Sequence, residues 1–134
     1  MTSGSIPLGT KGTFSLEVDE KHCTKRGDHL IFSTPNMVQL LEWAAIEALR
    51  PYLSDAEISV GTMVEVRHLA PTPRGARVKA DAIVRECAGS RVLFAVDIFD
   101  DREKIGEAMH ERFVLDRDRY LRRLEKKLAA VAQP

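Results

Sequence analysis

Three residues of this chain carry side chains suited to proton transfer or attack on a carbonyl, in places that an ordinary surface or core position does not explain. Thr34 stands immediately before Pro35, where a helix should begin, because proline is welcome in a first helical turn. Glu42 lies in the run MVQLLEWAAIEAL, on the face formed by Val38, Leu41, Ala45 and Leu49. That is the most apolar face when residues are set about 100° apart, and Glu47 points nearly the opposite way, where a solvated glutamate belongs. A carboxylate among aliphatic side chains is costly unless it is paired or hydrogen-bonded. His68 shares its period-two parity with Val64 and Val66, and an inward imidazole can relay a proton near neutral pH. Each also has a plain structural use: a cap for Thr34, a helix-edge ion pair for Glu42, a satisfied core position for His68.

The elements that must position them follow from the same pattern. TFSLEVD places Phe14, Leu16 and Val18 on one side of a strand, the alternation of a half-buried sheet. EKHCTKRGDH, from Glu20 to His29, is polar and aperiodic and reads as a loop. Ser33 or Thr34 can cap the helix that follows, Pro51 marks its last turn, and Ser54-Asp55 its exit. This helix is apolar over most of its circumference and wants cover on more than one side. Then come four consecutive strands joined by short turns. The first, from Ile58 to Leu69, is expected to set Val60, Thr62, Val64, Val66 and His68 on one face. The others cover about 76–87, 91–99 and 104–115, and His110 shares a face with Gly106, Ala108, Arg112 and Val114. In the tail, Tyr120, Leu121, Leu124 and Leu128 recur at helical spacing among many Arg and Lys. Sequential strands with short turns make an antiparallel meander. A long helix against one curved sheet of about five strands, with a short C-terminal helix, makes an α+β domain over residues 10–130, with 1–9 as an N-terminal arm. A sheet with open edges is best completed by a second copy, so a homodimer is expected.

Composition removes whole classes of function. The 134 residues suffice for one core, and 20 Lys+Arg balance 20 Asp+Glu, which gives no support to a nucleic-acid binder. No apolar run approaches the roughly 20 residues that cross a bilayer, and the N-terminus has no secretion signal; a cytoplasmic protein without membrane attachment is expected. Cys23 and Cys87 make no CxxC spacing. No HxH, HExxH, glycine-rich phosphate loop or GxSxG motif occurs, so neither a metal site nor a serine-hydrolase elbow is read. The first turn beyond Thr34, through Pro35 and Asn36, is positive-ended and suited to a developing oxyanion. Thr34 and Glu42 stand eight residues apart, about 12 Å of helical rise, so they can line one cavity without touching.

From about residue 12 to 118 the chain resembles the hotdog-fold thioesterases, and among them the fluoroacetyl-CoA thioesterase family. STPNMVQLLEWAAIEALRPYL resembles the central helix of that family, VGTMVEVRHLAPTPRG the segment after it, and KIGEAMHERFVLD its closing strand. The resemblance implies a hotdog fold and hydrolysis of an acyl-CoA thioester. It puts Thr34, Glu42 and His68 at the catalytic threonine, glutamate and histidine, and Gly61 at the glycine whose backbone is held against the substrate carbonyl. CoA would be part of the substrate, with no further cofactor. Arg67, Arg74, Arg112 and Arg119 are candidates for its phosphates, and the stretch from Glu111 to Lys127 is locally basic. The segment before the helix, EKHCTKRGDHLIFS, is shorter than in the fluoroacetate-specific member and has Phe32 as its one aromatic. Thioester chemistry therefore carries over, and the preference for fluoroacetyl does not follow. A CoA-thioester hydratase or dehydratase of the same fold, or a non-catalytic acyl-CoA binder, would be told apart by parallel cleavage, hydration and binding assays.

Overall fold

The computed structural model describes residues 6–133. Five strands form one antiparallel sheet in the order β1-β5-β6-β7-β4: β1 (Lys11–Glu17), β4 (Glu57–His68), β5 (Arg77–Ala88), β6 (Arg91–Phe99) and β7 (Lys104–Asp116). The sheet curls about helix α1 (Thr34–Leu49), and α2 (Arg117–Val131) follows β7. Of the expected four-strand meander only β5-β6-β7 is present. Strand β4 lies beyond β7 and antiparallel to it, so the link from β4 to β5 crosses over the sheet, and β1 closes the sheet on the far side of β5.

Helix α1 begins where the chain chemistry predicts. Ser33 is the cap, accepting a hydrogen bond from Asn36 N–H, and Pro35 sits in the first turn. Met37, Leu40, Leu41, Ala44, Ala45, Ala48 and Leu49 are buried against Val78, Ala80, Phe94, Ile98 and Ile105 of the sheet. Removing a fully buried leucine from such a core costs about 2–5 kcal/mol. The approach of α1 to β1 is close enough to require glycine at position 12. A Cβ there would stand 2.3 Å from both Ala44 O and Ala48 N. Two alanines on the helix and a glycine on the strand let the two backbones touch.

Three further expectations need correction. The segment from Glu20 to His29 is not a loop. It forms a short 3-10 turn, Glu20–His22, and then a hairpin of β2 (Cys23–Arg26) and β3 (His29–Phe32). The hairpin is short and mostly half-exposed, so it shows no apolar alternation; its turn at Gly27-Asp28 is the available signal. The second correction concerns β4. Its register with β7 slips between Gly61 and Met63, a bulge that switches faces. Ser59 and Gly61 therefore share the helix-facing side with Val64, Val66 and His68, because their partners Val114, Arg112, His110, Ala108 and Gly106 are the inward residues of β7. Val60 does not belong to that face. Third, residues 1–5 of the expected arm lie outside the described residues, but Ile6 is 3% exposed and Gly9 N–H bonds Val84 O at 2.8 Å. The chain is anchored from Ile6 onward.

Candidate active site

The residues singled out above fall into two clusters along α1. At the helix N-terminus, Thr34 Oγ1 lies 2.8 Å from His68 Nδ1. Ser33 makes this contact possible by taking over the capping of the helix, which leaves the Thr34 hydroxyl to the histidine. His68 is the last residue of β4, opposite Gly106 of β7. Burial lowers its pKa below the ordinary 6.5, against an opposing hydrogen bond to the Ala70 backbone. The imidazole is therefore neutral near pH 7, the form that accepts a proton.

This pair opens into a cleft of about 780 Å³. Its walls include Pro35 and Asn36 of α1, Cys23, Thr24 and Arg26 of the hairpin, and Leu69 beyond His68. The hairpin residues escaped the sequence reading because the hairpin itself did. Cys23 is not a second nucleophile. Burial raises its thiol pKa, partly offset by the Arg74 charge, and its Sγ donates to Asp19 O at 3.2 Å. Pro35 has no N–H and Asn36 N–H already bonds Ser33 Oγ at 3.3 Å. Of the two, only Asn36 has a donor to offer an oxyanion, and only by sharing it.

The second cluster surrounds Glu42, which touches neither Thr34 nor His68. Its Oε2 receives Arg112 Nη1 at 3.3 Å. The Arg112 side chain is 5% exposed and that of Glu42 30%. Arg112 also donates from Nε to Ser59 Oγ and from Nη2 to Ser59 O, each at 3.0 Å, and Nη1 lies 3.2 Å from His110 Nε2. His110 is fully buried, with Nδ1 2.8 Å from Met63 O. A guanidinium only donates and a carbonyl only accepts, so His110 is neutral with its hydrogen on Nδ1. Burial lowers its pKa, and the Arg112 charge adds to this against the Met63 carbonyl and Glu42. His110 is thus held in place by the Met63 carbonyl and Arg112. Gly61 makes room for the whole cluster. A Cβ on it would stand 2.6 Å from Glu42 Oε2 and 3.2 Å from both Arg112 Nη1 and His110 Cε1.

The four arginines considered for CoA phosphates have different fates. Arg112 is buried and committed to Ser59 and Glu42, so it is not a surface cation. A buried arginine requires a counterion, and Glu42 supplies it. Arg67 lies on the outer face of the sheet, in a groove with Glu65, Asp97 and Glu107. Arg74 is close enough to the cleft for its charge to reach Cys23. Arg119 lies in α2, far along the sheet. Among the described residues there is no group of three or more His, Cys, Asp or Glu placed to hold a metal, and no helix long and apolar enough to cross a membrane.

A curled five-stranded antiparallel sheet wrapped around one long helix is the hotdog architecture of thioesterases. Within it, the chain belongs to the fluoroacetyl-CoA-specific thioesterase family, whose model matches residues 17–118. It is 37% identical over 100 residues to a fluoroacetyl-CoA thioesterase of Streptantibioticus cattleyicolor, a match covering 75% of this chain and 72% of that one. A solved structure of a fluoroacetyl-CoA thioesterase superposes with a TM-score of 0.85 at 30% identity, covering 92% of this chain and 98% of that chain. A thioesterase-superfamily protein of Thermus thermophilus does so with a TM-score of 0.83 at 28% identity, covering 93% and 97%.

Proposed function

We propose that the protein hydrolyses the thioester of a small acyl-CoA to the free acid and CoA, with Thr34 and His68 as the reacting pair. Membership of a thioesterase family supplies the reaction class: the chain is a thioester hydrolase. The observation that carries the site is the 2.8 Å contact between a hydroxyl and a neutral imidazole inside a cleft, the arrangement that activates an oxygen for attack on a carbonyl. The attacking oxygen is Thr34 Oγ1 itself or a water that it orients. In either route His68 takes the proton as the oxygen adds, the carbonyl carbon–sulfur bond breaks, and the proton passes to the leaving sulfur. Where Thr34 attacks, a water deprotonated by His68 then adds to the acyl-Thr34 ester, the carbon–oxygen bond to Thr34 breaks, and the proton returns to the Thr34 oxygen. Asn36 in the first turn of α1 is the oxyanion donor in this reading; Gly61, seven residues from His68 along β4, belongs with Glu42. Glu42, held by Arg112 across Gly61, acts on the acyl group or its water from the far end of the site.

Two features support a small acyl group without a fluoroacetyl preference. The hairpin over the cleft contributes Cys23, Thr24 and Arg26, and its one phenylalanine, Phe32, is fully buried in the core. No aromatic lid is formed by that segment. We further propose that two copies pair through β4. It is the longer of the two edge strands, 12 residues against 7 in β1, and the half-buried Val38, Glu42 and Ile46 of α1 face away from the buried side of the helix. Reaction of the purified protein with a panel of acyl-CoA esters, read by release of free thiol, tests the function. Turnover of short acyl esters that Thr34→Ala abolishes is the expected result. Absence of thiol release from every ester would overturn it.

A further inference from the structure

Helix α2 has no buried residue, although its start is well fixed. Asp116 caps it by accepting Arg119 N–H at 3.0 Å, and Arg117 N–H bonds Ala56 O at 2.8 Å. Between its first turns and the end of β7 lies a groove of about 790 Å³, with Ser90 of the β5–β6 turn at one side. Arg119, Arg122, Arg123, Lys126 and Tyr120 line it, and Asp116 is the one carboxylate there. Asp116 is occupied by the cap, and none of the four cations makes an ion pair among the described residues. Spacings of three and four residues put these cations on one side of the helix. Like charges so arranged repel one another, and a bound polyanion removes that cost. Tyr120, 38% exposed, adds an aromatic face on which a base can stack.

We infer that this groove binds the 3′-phosphoadenosine diphosphate end of CoA, and that it serves the cleft of a second copy. The inference rests on the acyl-CoA reading above and deepens it. The ligand matches in charge and shape: three phosphoryl groups for four uncompensated cations, and a purine for Tyr120. The register dictates which copy is served. Glu57 pairs with Asp116 at one end of β4, and His68 pairs with Gly106 at the other. Eleven steps of about 3.3 Å separate the two ends, roughly 35 Å in extended chain, so the groove stands far from the cleft of its own chain. Antiparallel pairing of two β4 edges about their middle brings the Glu57 end of one copy, and with it α2, to the His68 end of the other. Each complete site then takes Thr34 and His68 from one chain and the α2 cations from its partner.

Two esters of one acyl group, acyl-CoA and acyl-pantetheine, test the groove, because the second lacks the nucleotide. Joint replacement Arg122→Ala and Arg123→Ala should raise KM for acyl-CoA by at least about tenfold, the loss of charge-assisted hydrogen bonds, and leave KM for acyl-pantetheine unchanged. Adenosine 3′,5′-bisphosphate should inhibit the parent enzyme and not the double variant. An unchanged KM for acyl-CoA overturns the assignment. Failure of the parent enzyme on both esters overturns the thioesterase reading instead, and calorimetric binding of adenosine 3′,5′-bisphosphate then still decides the groove. Mixed dimers of Thr34→Ala chains with Arg122→Ala/Arg123→Ala chains test the copy served. Recovery of the low KM for acyl-CoA is expected, and a KM that stays high overturns the placement between copies.

Discussion

The Thr34 hydroxyl and Nδ1 of His68, 2.8 Å apart, join the first residue of α1 to the last residue of β4. Among the described residues neither has another side-chain hydrogen-bonding partner, so the pair acts as a unit. Thr34→Ala and His68→Ala should each lower kcat/KM by about 10²-fold or more, while Thr34→Ser keeps the hydroxyl and most of the activity. The double variant should be no worse than the poorer single one, because members of one catalytic unit are non-additive. Steady-state kinetics on the preferred ester measure all four. Multiplying losses would show that the two residues work separately.

The pKa of His68 places the acid limb of the pH profile. Burial lowers it below 6.5, so kcat/KM should rise with an inflection below pH 6.5 and be flat at pH 7. His110 is lowered as well. For both groups the unfolded chain binds the proton more readily than the folded one. Their contribution to stability is therefore complete above about pH 6.5 and is lost as pH falls through the folded values. Urea unfolding at pH 5 should give a lower midpoint than at pH 7.5, and the difference should shrink when His110 is replaced by asparagine. An acid limb centred at or above pH 6.5 would contradict the burial of His68.

How far the site could be read from the chain depends on the reach of each signal. Helix start and strand alternation are local, so α1, β1, the four later strands and the inward position of His68 were legible. The pairing of β4 with β7 instead of β5 is not local, and the buried face of α1 runs through Met37, Leu40, Ala44 and Ala48, with Val38 and Glu42 beside it. The contact between Thr34 and His68 joins residues 34 positions apart, and no local period encodes it. The bulge at Thr62 inserts one residue and reverses the parity upstream of it. That is why Gly61, whose inward position now matters most, was placed by resemblance and not by alternation. The hairpin of β2 and β3 is only four residues a strand, too short for periodicity to show. Arg112 shares its strand face with His110 and is equally suited by type to a phosphate, and only its burial against Glu42 decides between the two.

Ser33 and Thr34 divide two tasks that one residue often combines. Ser33 Oγ accepts from Asn36 N–H and from Asn36 Nδ2, so Ser33→Ala should cost about 1 kcal/mol of stability through the lost cap. Thr34→Ala leaves the cap in place and should move the unfolding midpoint far less, while it removes the activity. Chemical denaturation of the two variants beside their kinetics makes the comparison. A large stability loss in Thr34→Ala would mean that its hydroxyl holds the helix and not the reaction.

Glu42, Arg112 and Gly61 form the part of the site where fold and chemistry are hardest to separate, and three substitutions separate them. Arg112→Ala removes both bonds to Ser59 and leaves the Glu42 carboxylate without its cation, at a cost of about 3 kcal/mol. Arg112→Lys should not restore it, because an ammonium cannot reproduce the forked contacts to Ser59. Glu42→Gln keeps the shape and one acceptor oxygen toward Arg112, so its stability loss should stay near 1 kcal/mol. If the carboxylate takes part in the reaction, this folded variant nevertheless loses at least about tenfold in kcat/KM. Gly61→Ala drives a methyl group into Glu42 Oε2 and should reproduce that loss with every charge retained. Full activity in Glu42→Gln, with stability near the parent, would reduce Glu42 to the counterion of a buried arginine and leave the chemistry to Thr34 and His68 alone.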